Sequence, residues 1–378
     1  MNEKNRKILF FVSEDWYFIS HRLKLALFLL NKGYQIHLCC KNTGFVEEIL
    51  KHGINWHSIE VKRKSLSICQ FFKEVIKLYF LIHKLKPEII QLISLRQIVV
   101  GVFSAMLFRK KKIFLTFTGL GFLFTEKDYK TYFIRLLIRC FLFLTFKLLN
   151  LKAIVQNEDD KKFISKNFFL SSIKISVIKG SGIDLKHFRL IPESFTQNIT
   201  LAYAGRLLKD KGILDLVKAF KSAKIELKNL SLILAGPLDK NNPSAISDKE
   251  LDRIKKIKDI HYLGNVKDTR MIWKKANIAI LLSKREGLPL SLMEAAAVGR
   301  SIIATDVPGC REIAKDGLNS ITVPFGNIEK IKNAILKLAN DRKLRKRYSQ
   351  FGRKILEKEM KQEIIFSKYL TVYENKKS

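Results

Sequence analysis

One stretch of the sequence decides the expected fold: Ile278-Ala279-Ile280-Leu281-Leu282-Ser283-Lys284-Arg285-Glu286-Gly287-Leu288-Pro289-Leu290-Ser291-Leu292-Met293-Glu294-Ala295-Ala296-Ala297-Val298-Gly299. Its first five residues are apolar, as in a buried strand, and a loop begins at Ser283. Pro289 suits the first turn of a helix, and Gly299 suits the position just beyond the end of that helix. The stretch therefore predicts a strand, a loop and a helix in succession.

The junction between this loop and this helix is a predicted anion site, because free backbone N–H groups meet the positive end of the helix dipole there. Pro289 has no N–H, so the donors must come from neighbouring residues: Gly287, Leu288, Leu290 and Ser291. Glu286 on the loop and Glu294 on the helix are expected at different depths of one pocket. Carboxylates accept hydrogen bonds from hydroxyl groups, so this pair suits a sugar or a ribose better than a phosphate.

Short apolar runs alternate with longer helical patterns along the chain, such as Ser20–Lys32 and Leu66–Lys84, which predicts βαβ units and parallel sheets. The predicted strands of a first series are Ile8–Val12, Gln35–Cys40, Glu88–Leu92, Lys112–Phe117, Ala153–Gln156 and Ile175–Ile178. Those of a second series are Thr200–Tyr203, Leu230–Ala235, Ile260–Tyr262, Ile278–Leu282, Ser301–Ala304 and Ser320–Val323. A polar stretch at 192–198 separates the series. We therefore expect an α/β protein of two doubly wound domains, with its chemistry in the loops at the carboxyl ends of the strands.

A second candidate site segment follows the first strand of the second series. Gly205 ends that strand, and Arg206 and Lys211 can both reach the crevice that it borders. Two cations close to a diphosphate would neutralise it as a leaving group.

The charge balance of the 378-residue chain is unusual. It has 70 Lys and Arg residues against 35 Asp and Glu residues, a formal net charge of +35. Such a surface attracts partners that carry phosphate: nucleic acid, anionic lipid or a phosphorylated ligand. An AT-rich gene, which favours Lys, Ile and Phe, explains part of the excess. The hydrophobic share of 47% is typical of a globular protein and excludes a disordered chain.

The cysteine and metal-ligand patterns point to a cytoplasmic protein without a metal ion. The five cysteines form no C-x-x-C pair, and their odd number argues against a disulfide framework. The apolar run Ile8–Val12 is too short for the core of a signal peptide.

The sequence contains no D-x-D triplet and no His/Cys cluster with metal-ligand spacing. A mechanism without metal or cofactor is therefore the expectation.

The segment 131–150 is almost entirely Phe, Leu and Ile, interrupted by Arg135, Arg139 and Lys147. On a helix, these cations fall within one arc and leave the remaining surface apolar. A membrane span is disfavoured, since a central Arg or Lys costs about 2.5–3.5 kcal/mol on the insertion scale. The pattern is compatible with a helix in the membrane interface or with a buried helix whose Arg stems reach the surface. Basic runs at 62–64 and 109–112 favour contact with an anionic membrane.

These motifs together resemble those of the GT4 family of retaining glycosyltransferases. Glu286 and Glu294 match its E-x7-E signature, the segment 205–212 resembles its donor-diphosphate motif, and 303–309 resembles the strand and loop that follow. The resemblance implies a GT-B fold, in which two Rossmann-like doubly wound domains face each other across a cleft. It implies an acceptor-binding domain over 1–190, a domain for the nucleotide-sugar over 198–356, and a last helix over 357–378 that crosses back to the first domain.

The resemblance also implies roles for the residues of the second half. Glu286 would bind hydroxyls of the donor sugar, Arg206 and Lys211 would hold the departing diphosphate, and Glu294 would hold the ribose. Backbone N–H groups from Gly287 to Ser291 would contact the sugar and the diphosphate. A further loop, which contains Asn265 and Val266, would face the uracil. Family members are thought to let the acceptor hydroxyl attack as the diphosphate leaves, so no protein nucleophile is expected.

Motifs in the first half resemble a bacterial surface-polysaccharide branch of the family, which includes transferases similar to the one that adds N-acetylgalactosamine to undecaprenyl-diphosphate-linked bacillosamine. The acceptor-side candidates from these motifs are His21, Thr118, Gly119, Asn157 and Gly182. Two departures stand out: the usual Gly-Gly pair is absent from the first loop, and Thr118 occupies the place of a His that touches the transferred sugar in many members. Each candidate also has a purely structural reading: packing for His21, a helix cap for Asn157 and a turn for Gly182.

The sequence therefore predicts a retaining, metal-independent enzyme that moves a hexose or N-acetylhexosamine from a UDP-sugar to a polyprenyl-diphosphate-linked sugar. Its expected location is the inner face of the cytoplasmic membrane, as a peripheral protein. The alternatives are a GT-B-fold epimerase that acts on the free sugar nucleotide, or a basic protein that binds nucleic acid or a membrane surface. Nucleic acid is the less favoured partner, because the sequence has no zinc finger and no aromatic RNA-binding motif.

Overall fold

The computed structural model of the protein describes residues 6–60, 67–108, 111–119, 129–168, 170–193, 197–240 and 242–375. The chain forms two compact units. Unit 1 consists of Met1–Ser181 and Glu363–Ser378, and unit 2 consists of Gly182–Gln362.

The described residues form thirteen strands and fifteen α-helices. The strands are β1 (Arg6–Glu14), β2 (Tyr34–Lys41), β3 (Asn55–Ser58), β4 (Ile89–Ile93), β5 (Lys112–Thr116), β6 (Leu151–Val155), β7 (Ile175–Val177), β8 (Ile199–Ala204), β9 (Leu230–Ala235), β10 (Ile260–Tyr262), β11 (Ile278–Leu281), β12 (Ser301–Thr305) and β13 (Ser320–Val323). The helices are α1 (Asp15–His21), α2 (Leu23–Asn31), α3 (Val46–Leu50), α4 (Ile68–Leu85), α5 (Leu95–Ala105), α6 (Tyr129–Leu148), α7 (Glu158–Phe168), α8 (Ile213–Glu226), α9 (Asp248–Lys255), α10 (Arg270–Lys275), α11 (Leu290–Ala297), α12 (Pro308–Ile313), α13 (Ile328–Asn340), α14 (Arg342–Glu359) and α15 (Gln362–Glu374).

Unit 1 is built on a parallel sheet whose described strands pair in the order β3-β2-β1-β4-β5-β6-β7. Successive strand residues point to opposite faces, so the apolar run of β1 contributes to two cores. Leu9 and Phe11 pack with residues of α4, α5, α6 and α7. Ile8 and Phe10 pack with residues of α1, α2, α3 and α15. Because both faces are covered, the central strands are continuous apolar runs, and the sequence pattern predicts them well.

Unit 2 is built on a second parallel sheet, with the described strands in the order β10-β9-β8-β11-β12-β13. Its core combines both faces of this sheet with residues of α8, α9, α10, α11, α12, α13 and α14. The predicted strands of both series are confirmed to within two residues at each end. The two sheets confirm the predicted α/β class with two doubly wound parts.

Two local predictions for unit 1 were wrong. The helix expected over Ser20–Lys32 is divided, because Arg22 leaves helical geometry at φ −131° between α1 and α2. Its buried guanidinium donates a hydrogen bond to the hydroxyl of Tyr369 on α15 at 2.8 Å, a partner far away in sequence. The sequence analysis also missed β3, a four-residue strand at the edge of the sheet whose residues are only partly buried or exposed.

The predicted domain boundaries at 190, 198 and 357 differ from the division between the two units. Residues 182–193 belong to unit 2, where α14 holds them: Arg353 donates to the carbonyl of Phe188 at 2.7 Å, and Arg345 pairs with Glu193 at 2.7 Å. The segment 363–378 belongs to unit 1, and the buried Tyr373 of α15 donates a hydrogen bond to Gln91 of β4 at 2.8 Å.

Helix α6 occupies most of the predicted apolar segment 131–150 and has two different faces. Leu142 and Phe146 are buried in the core of unit 1, whereas Leu137 and Leu144 are more than half exposed. Arg139 donates a hydrogen bond to the carbonyl of Asn167 at the end of α7, 2.8 Å away. Within the described part of the chain, no helix combines the length and the apolar character that a membrane span requires.

Candidate active site

The strand order of unit 2 reverses between β8 and β11, which pair with each other. In open parallel sheets, ligands bind outside the carboxyl ends of the strands at such a switch point. Gly205, Arg206 and Lys211 follow β8, and Ser283 and Glu286 follow β11. The topology therefore places the two predicted motifs side by side, although about 75 residues separate Lys211 from Glu286 along the chain.

Glu286 is the centre of this cluster. Its Oε1 accepts a hydrogen bond from the Ser283 hydroxyl at 2.6 Å and forms an ion pair with the Lys211 ammonium. The Glu286 side chain is only 10% exposed, so this ion pair is shielded from water. Burial, and to a smaller extent the Glu286 charge, raise the pKa of the nearby Tyr203 hydroxyl. The site thus holds the Glu286 carboxylate and the Lys211 ammonium in contact, near the carboxyl ends of β8 and β11.

Two glycines allow these loops to approach each other. Gly212 has a φ of +72°, and a Cβ there would overlap the carbonyl oxygen of Leu282. Gly309, in the first turn of α12, donates its N–H to the carbonyl of Glu286 at 3.2 Å, and its own Cβ would overlap the carbonyl oxygen of Gly287. The loops after β8, β11 and β12 are therefore packed backbone to backbone around Glu286.

Arg206 is paired with a different carboxylate. Its Nη1 donates to Asp239, beyond the end of β9, at 2.8 Å. The Tyr203 hydroxyl donates to the Arg206 carbonyl at 2.7 Å, and the Arg206 charge partly offsets the rise in the Tyr203 pKa. Arg206 and Lys211 are therefore each balanced by an acidic partner from another loop.

Glu294 is a buried carboxylate. It lies on α11 with 7% of its surface exposed, and it accepts a hydrogen bond from the Trp273 indole N–H at 3.2 Å. Burial raises the pKa of Glu294 to about 7, although hydrogen bonds from Thr269 and Trp273 act in the opposite direction. Glu286 and Glu294 thus have separate sets of partners, and Glu294 can change its charge near neutral pH.

Four of the remaining predicted donor residues lie on the loop after β11 and at the start of α11. Helix α11 starts at Leu290, one residue after Pro289, and ends two residues before Gly299, whose φ of +84° confirms the predicted end of the helix. Gly287 is buried, and Leu288 and Leu290 pack against the core of unit 2, which fixes the backbone at the start of α11. Ser291 is partly buried in the first turn.

Asn265 and Val266 lie on the loop after β10. Asn265 is exposed, whereas Val266 packs against the core of unit 2. The preceding residue, Gly264, accepts a hydrogen bond from the Gly236 N–H at 2.7 Å, which ties this loop to the end of β9.

The acceptor-side candidates lie at a strand end, at helix ends and in a turn. Thr118 follows β5, and its hydroxyl lies 3.3 Å from that of Ser94 after β4, next to Gly119. The basic run at 62–64 and the first two residues of the run at 109–112 lie outside the described residues. His21 ends α1, and burial with the adjacent Arg22 charge lowers its pKa to about 4, so its ring is neutral at pH 7.

Asn157 and Gly182 have structural roles. The Asn157 side chain is fully buried and accepts a hydrogen bond from the Asp160 N–H at 2.7 Å, as a cap of α7 does. Gly182 has a φ of +65° in the turn where unit 2 begins.

Sequence reasoning missed four polar residues of these strand ends: Ser283, Tyr203, Asp239 and Ser94. Tyr203 lies in a predicted strand, Ser283 and Ser94 come directly after strands, and Asp239 follows a Gly-Pro pair. Position directly after a buried strand was therefore the available signal for Ser283 and Ser94. Ser94 also has a φ of +81°, which is uncommon for a residue other than glycine and is concentrated at functional sites.

No cluster of three or more His, Cys, Asp or Glu side chains with a geometry that could hold a metal ion occurs among the described residues.

Two family descriptions match most of the chain. The family described as "Glycosyl transferase 4-like" matches residues 7–151, and "Glycosyl transferases group 1" matches residues 187–355. The two matched regions fall in unit 1 and unit 2, respectively.

Individual proteins resemble the chain over most of their own length. The capsular polysaccharide biosynthesis glycosyltransferase CapM of Staphylococcus aureus is 25% identical over 328 residues, which cover 84% of each protein. The N,N'-diacetylbacillosaminyl-diphospho-undecaprenol alpha-1,3-N-acetylgalactosaminyltransferase of Campylobacter jejuni is 26% identical over 336 residues, or 86% of this chain and 87% of that one. The structure of Anabaena HepE in complex with UDP and glucose matches with a TM-score of 0.79 at 14% identity, over 98% of this chain and 100% of that one, which shows a shared GT-B fold. The chain therefore belongs to the GT4-like glycosyltransferases, as its motifs predicted.

Proposed function

We propose that this glycosyltransferase moves a hexose or an N-acetylhexosamine from a UDP-sugar to a sugar on polyprenyl diphosphate, during synthesis of a bacterial surface glycan. The Campylobacter jejuni relative is named for transfer to such a lipid-linked sugar, and HepE was solved with UDP. The observation that carries the proposal is the cluster of Lys211, Glu286 and Ser283 at the switch point of unit 2.

In this proposal, the donor diphosphate lies between the two cations and the start of α11. Arg206 and Lys211 supply positive charge, and the backbone N–H groups of Gly287, Leu288, Leu290 and Ser291 supply hydrogen-bond donors. A diphosphate would compete with Asp239 and Glu286 for these cations, so donor binding would release Glu286 to accept hydrogen bonds from sugar hydroxyls. Positive charge from side chains then neutralises the leaving group, and we propose that no metal ion is needed.

The reaction would proceed with retention of configuration. The bond between the anomeric carbon and the diphosphate oxygen breaks, and its electron pair leaves with UDP. The acceptor hydroxyl forms the new bond on the same face and passes its proton to the departing phosphate. Glu286 would position the sugar ring during this step, and Glu294 would hold the ribose while Asn265 and Val266 contact the uracil.

The acceptor is proposed to bind to unit 1, with Thr118 and Gly119 at the end of β5 as candidate contacts. His21 is a neutral candidate, which can accept or donate a hydrogen bond to a sugar hydroxyl. Since the acceptor is anchored in a membrane, we propose that the enzyme works as a peripheral protein at the cytoplasmic face, without nucleic acid as a partner.

The test is release of UDP or GDP from a panel of UDP- and GDP-sugars, with membrane-extracted polyprenyl-linked acceptor and with EDTA present. We expect UDP release that depends on the acceptor and persists in EDTA. Loss of activity in EDTA, with recovery on addition of a divalent ion, would contradict the metal-free proposal. Conversion of the donor alone into its epimer would instead support the epimerase alternative.

Variants of the central pair assign this activity to the site. Glu286→Ala and Lys211→Ala should each lower kcat about 10²–10³-fold, the effect of losing one preorganised electrostatic contact. Lys209→Ala is the matched control, because Lys209 lies in the same turn but is half exposed and pairs with Glu250. A rate close to that of the wild type for Glu286→Ala would exclude this residue from the reaction.

A further inference from the structure

Three neighbouring helices of unit 1 expose an unusual amount of apolar surface. On α4, the exposed residues follow each other at intervals of four and form one stripe along the helix: Ile68, Phe72, Ile76 and Phe80. The exposed apolar residues of α5 and the turn after it are Phe103, Met106 and Leu107. Those of α6 are Tyr129, Tyr132, Phe133, Leu136, Leu137, Leu144 and Leu148. We call this surface the α4–α6 face.

Ring contacts show that the α4–α6 face is continuous. Phe103 of α5 lies between the other two helices: its ring is 5.4 Å from that of Phe71 on α4 and stacks at 4.1 Å on that of Phe141 on α6. Phe71 in turn contacts the exposed Phe72. The three helices pack on the same side of the seven-stranded sheet, so their exposed sides form one surface.

The opposite side of the sheet provides a contrast within the same unit. Helices α1, α2, α3 and α15 cover that side. Of their described residues and the adjoining turns, only Phe45 and Leu50 are large, apolar and exposed. Exposed apolar surface is therefore concentrated on the α4–α6 face, and a large apolar patch of this kind marks an interaction site.

The charges around the α4–α6 face indicate which kind of partner it binds. The three helices contain eight Lys and Arg residues and one carboxylate, Glu74. That carboxylate is buried and paired with Arg96 at 2.9 Å, so it does not offset the surface charge. Lys73 and Lys77 border the α4 stripe, and Lys147 lies 4.3 Å from the centre of the Phe143 ring on α6. Cations beside apolar and aromatic side chains match the interface of an anionic bilayer.

We propose that the α4–α6 face docks this enzyme onto an anionic lipid bilayer. Two copies of the chain joined through this face would bring two positively charged surfaces together, whereas a bilayer of anionic lipid accepts both the charge and the apolar stripes. This inference rests on the proposed function, because only a membrane-anchored acceptor requires the enzyme to sit on a membrane. The proposal assigns the membrane contact to α4, α5 and α6 together rather than to α6 alone.

The native cysteines provide a test without any substitution. Cys69 on α4 and Cys140 on α6 are exposed on this face, whereas Cys39, Cys40 and Cys310 are buried. We expect a charged maleimide to label the first two thiols in buffer. Vesicles of phosphatidylcholine containing phosphatidylglycerol should slow both reactions about tenfold or more, and pure phosphatidylcholine should protect less. Unchanged labelling of protein that pellets with the anionic vesicles would overturn the proposal, as would a failure to pellet.

A triple variant measures the energy of the contact. Phe72→Ser, Phe80→Ser and Leu144→Ser together should lower the partition coefficient onto the anionic vesicles about 100-fold or more, since each removes an apolar side chain from the interface.

The matched control removes two phenylalanines and one aliphatic residue that are exposed on unit 2, by Ile225→Ser, Phe325→Ser and Phe351→Ser. The control should bind vesicles within about twofold of the wild type. Equal losses in both triple variants would overturn the proposal. Conversion of a wild-type dimer to a monomer by the first triple variant, with vesicle binding unchanged, would assign the face to a second copy and also overturn it.

The vesicle assays contain no sugar nucleotide, so their results do not depend on whether the enzyme catalyses the proposed reaction. Vesicle binding without UDP release would contradict the proposed function alone. UDP release from a detergent-solubilised acceptor without vesicle binding would contradict only the docking surface.

Discussion

The buried carboxyl group of Glu294 should make the stability of unit 2 depend on pH in a way that Glu294→Gln removes. Burial raises the pKa of Glu294 to about 7, against 4.5 for an ordinary Glu. Between these two values, the native state holds a proton that the unfolded state has lost. The free energy of unfolding therefore falls as the pH rises through this range. From about pH 5 to about pH 8, the loss amounts to about 2–3 kcal/mol.

Glutamine has nearly the same shape as the protonated carboxyl and can still accept the hydrogen bond from Trp273. The difference in free energy of unfolding between Glu294→Gln and the wild type should therefore shift in favour of the variant by about 2–3 kcal/mol between about pH 5 and about pH 8. Trp273 is a suitable reporter, because Trp16 and Trp56, the other tryptophans, lie in unit 1 and can be replaced by Phe. Urea unfolding followed by tryptophan fluorescence at each pH gives the measurement.

Glu329→Gln is the control for this experiment, since Glu329 lies on α13 of the same unit with 71% of its side chain exposed. Its difference from the wild type should change little with pH. Parallel pH profiles for Glu294→Gln and the wild type would refute the reasoning, because they would mean that Glu294 ionises in the native protein as it does in water.

Three further predictions concern the site and helix α6. Glu286→Ala combined with Lys211→Ala should slow transfer by roughly the product of the two single effects, because in the proposed reaction Glu286 binds the donor sugar and Lys211 binds the diphosphate; a double variant no slower than either single variant would indicate that the two groups act as one unit. Gly309→Ala should push the neighbouring loop carbonyl away, raise KM for the donor and destabilise unit 2 by about 1–3 kcal/mol, and unchanged donor titrations would contradict this packing. Leu142→Ser should cost about 3 kcal/mol or more of unfolding free energy, whereas Leu144→Ser should cost less than about 1 kcal/mol; equal losses in thermal unfolding would mean that α6 has no exposed face.

The sequence by itself determined the parallel strands of both sheets and the order of the site motifs. Strands such as β9 and β11 are covered on both faces, so they are short, continuous apolar runs that stand out from the polar loops. Motif residues directly after such strands are then expected at one edge of the sheet. This is why Arg206 and Glu286 could be selected, and the family resemblance assigned their roles, without coordinates. Ser283 had the same positional signal but no matching motif, whereas Tyr203 lies within a strand.

Only the tertiary structure decided which charged side chains form ion pairs and which side chains are buried. The partners of Lys211 and Arg206 come from loops that are distant in sequence, and no local pattern specifies that Glu286 takes one and Asp239 the other. Burial raises the pKa of Glu294, and its hydrogen-bond partner Trp273 lies on α10, so the environment of this carboxyl depends on packing between α10 and α11. The amphipathic pattern of α6 is equally compatible with a core helix and with a membrane helix. Contacts with α5 and α7 determine which side is buried, because burial is a property of the surroundings and not of the helix alone.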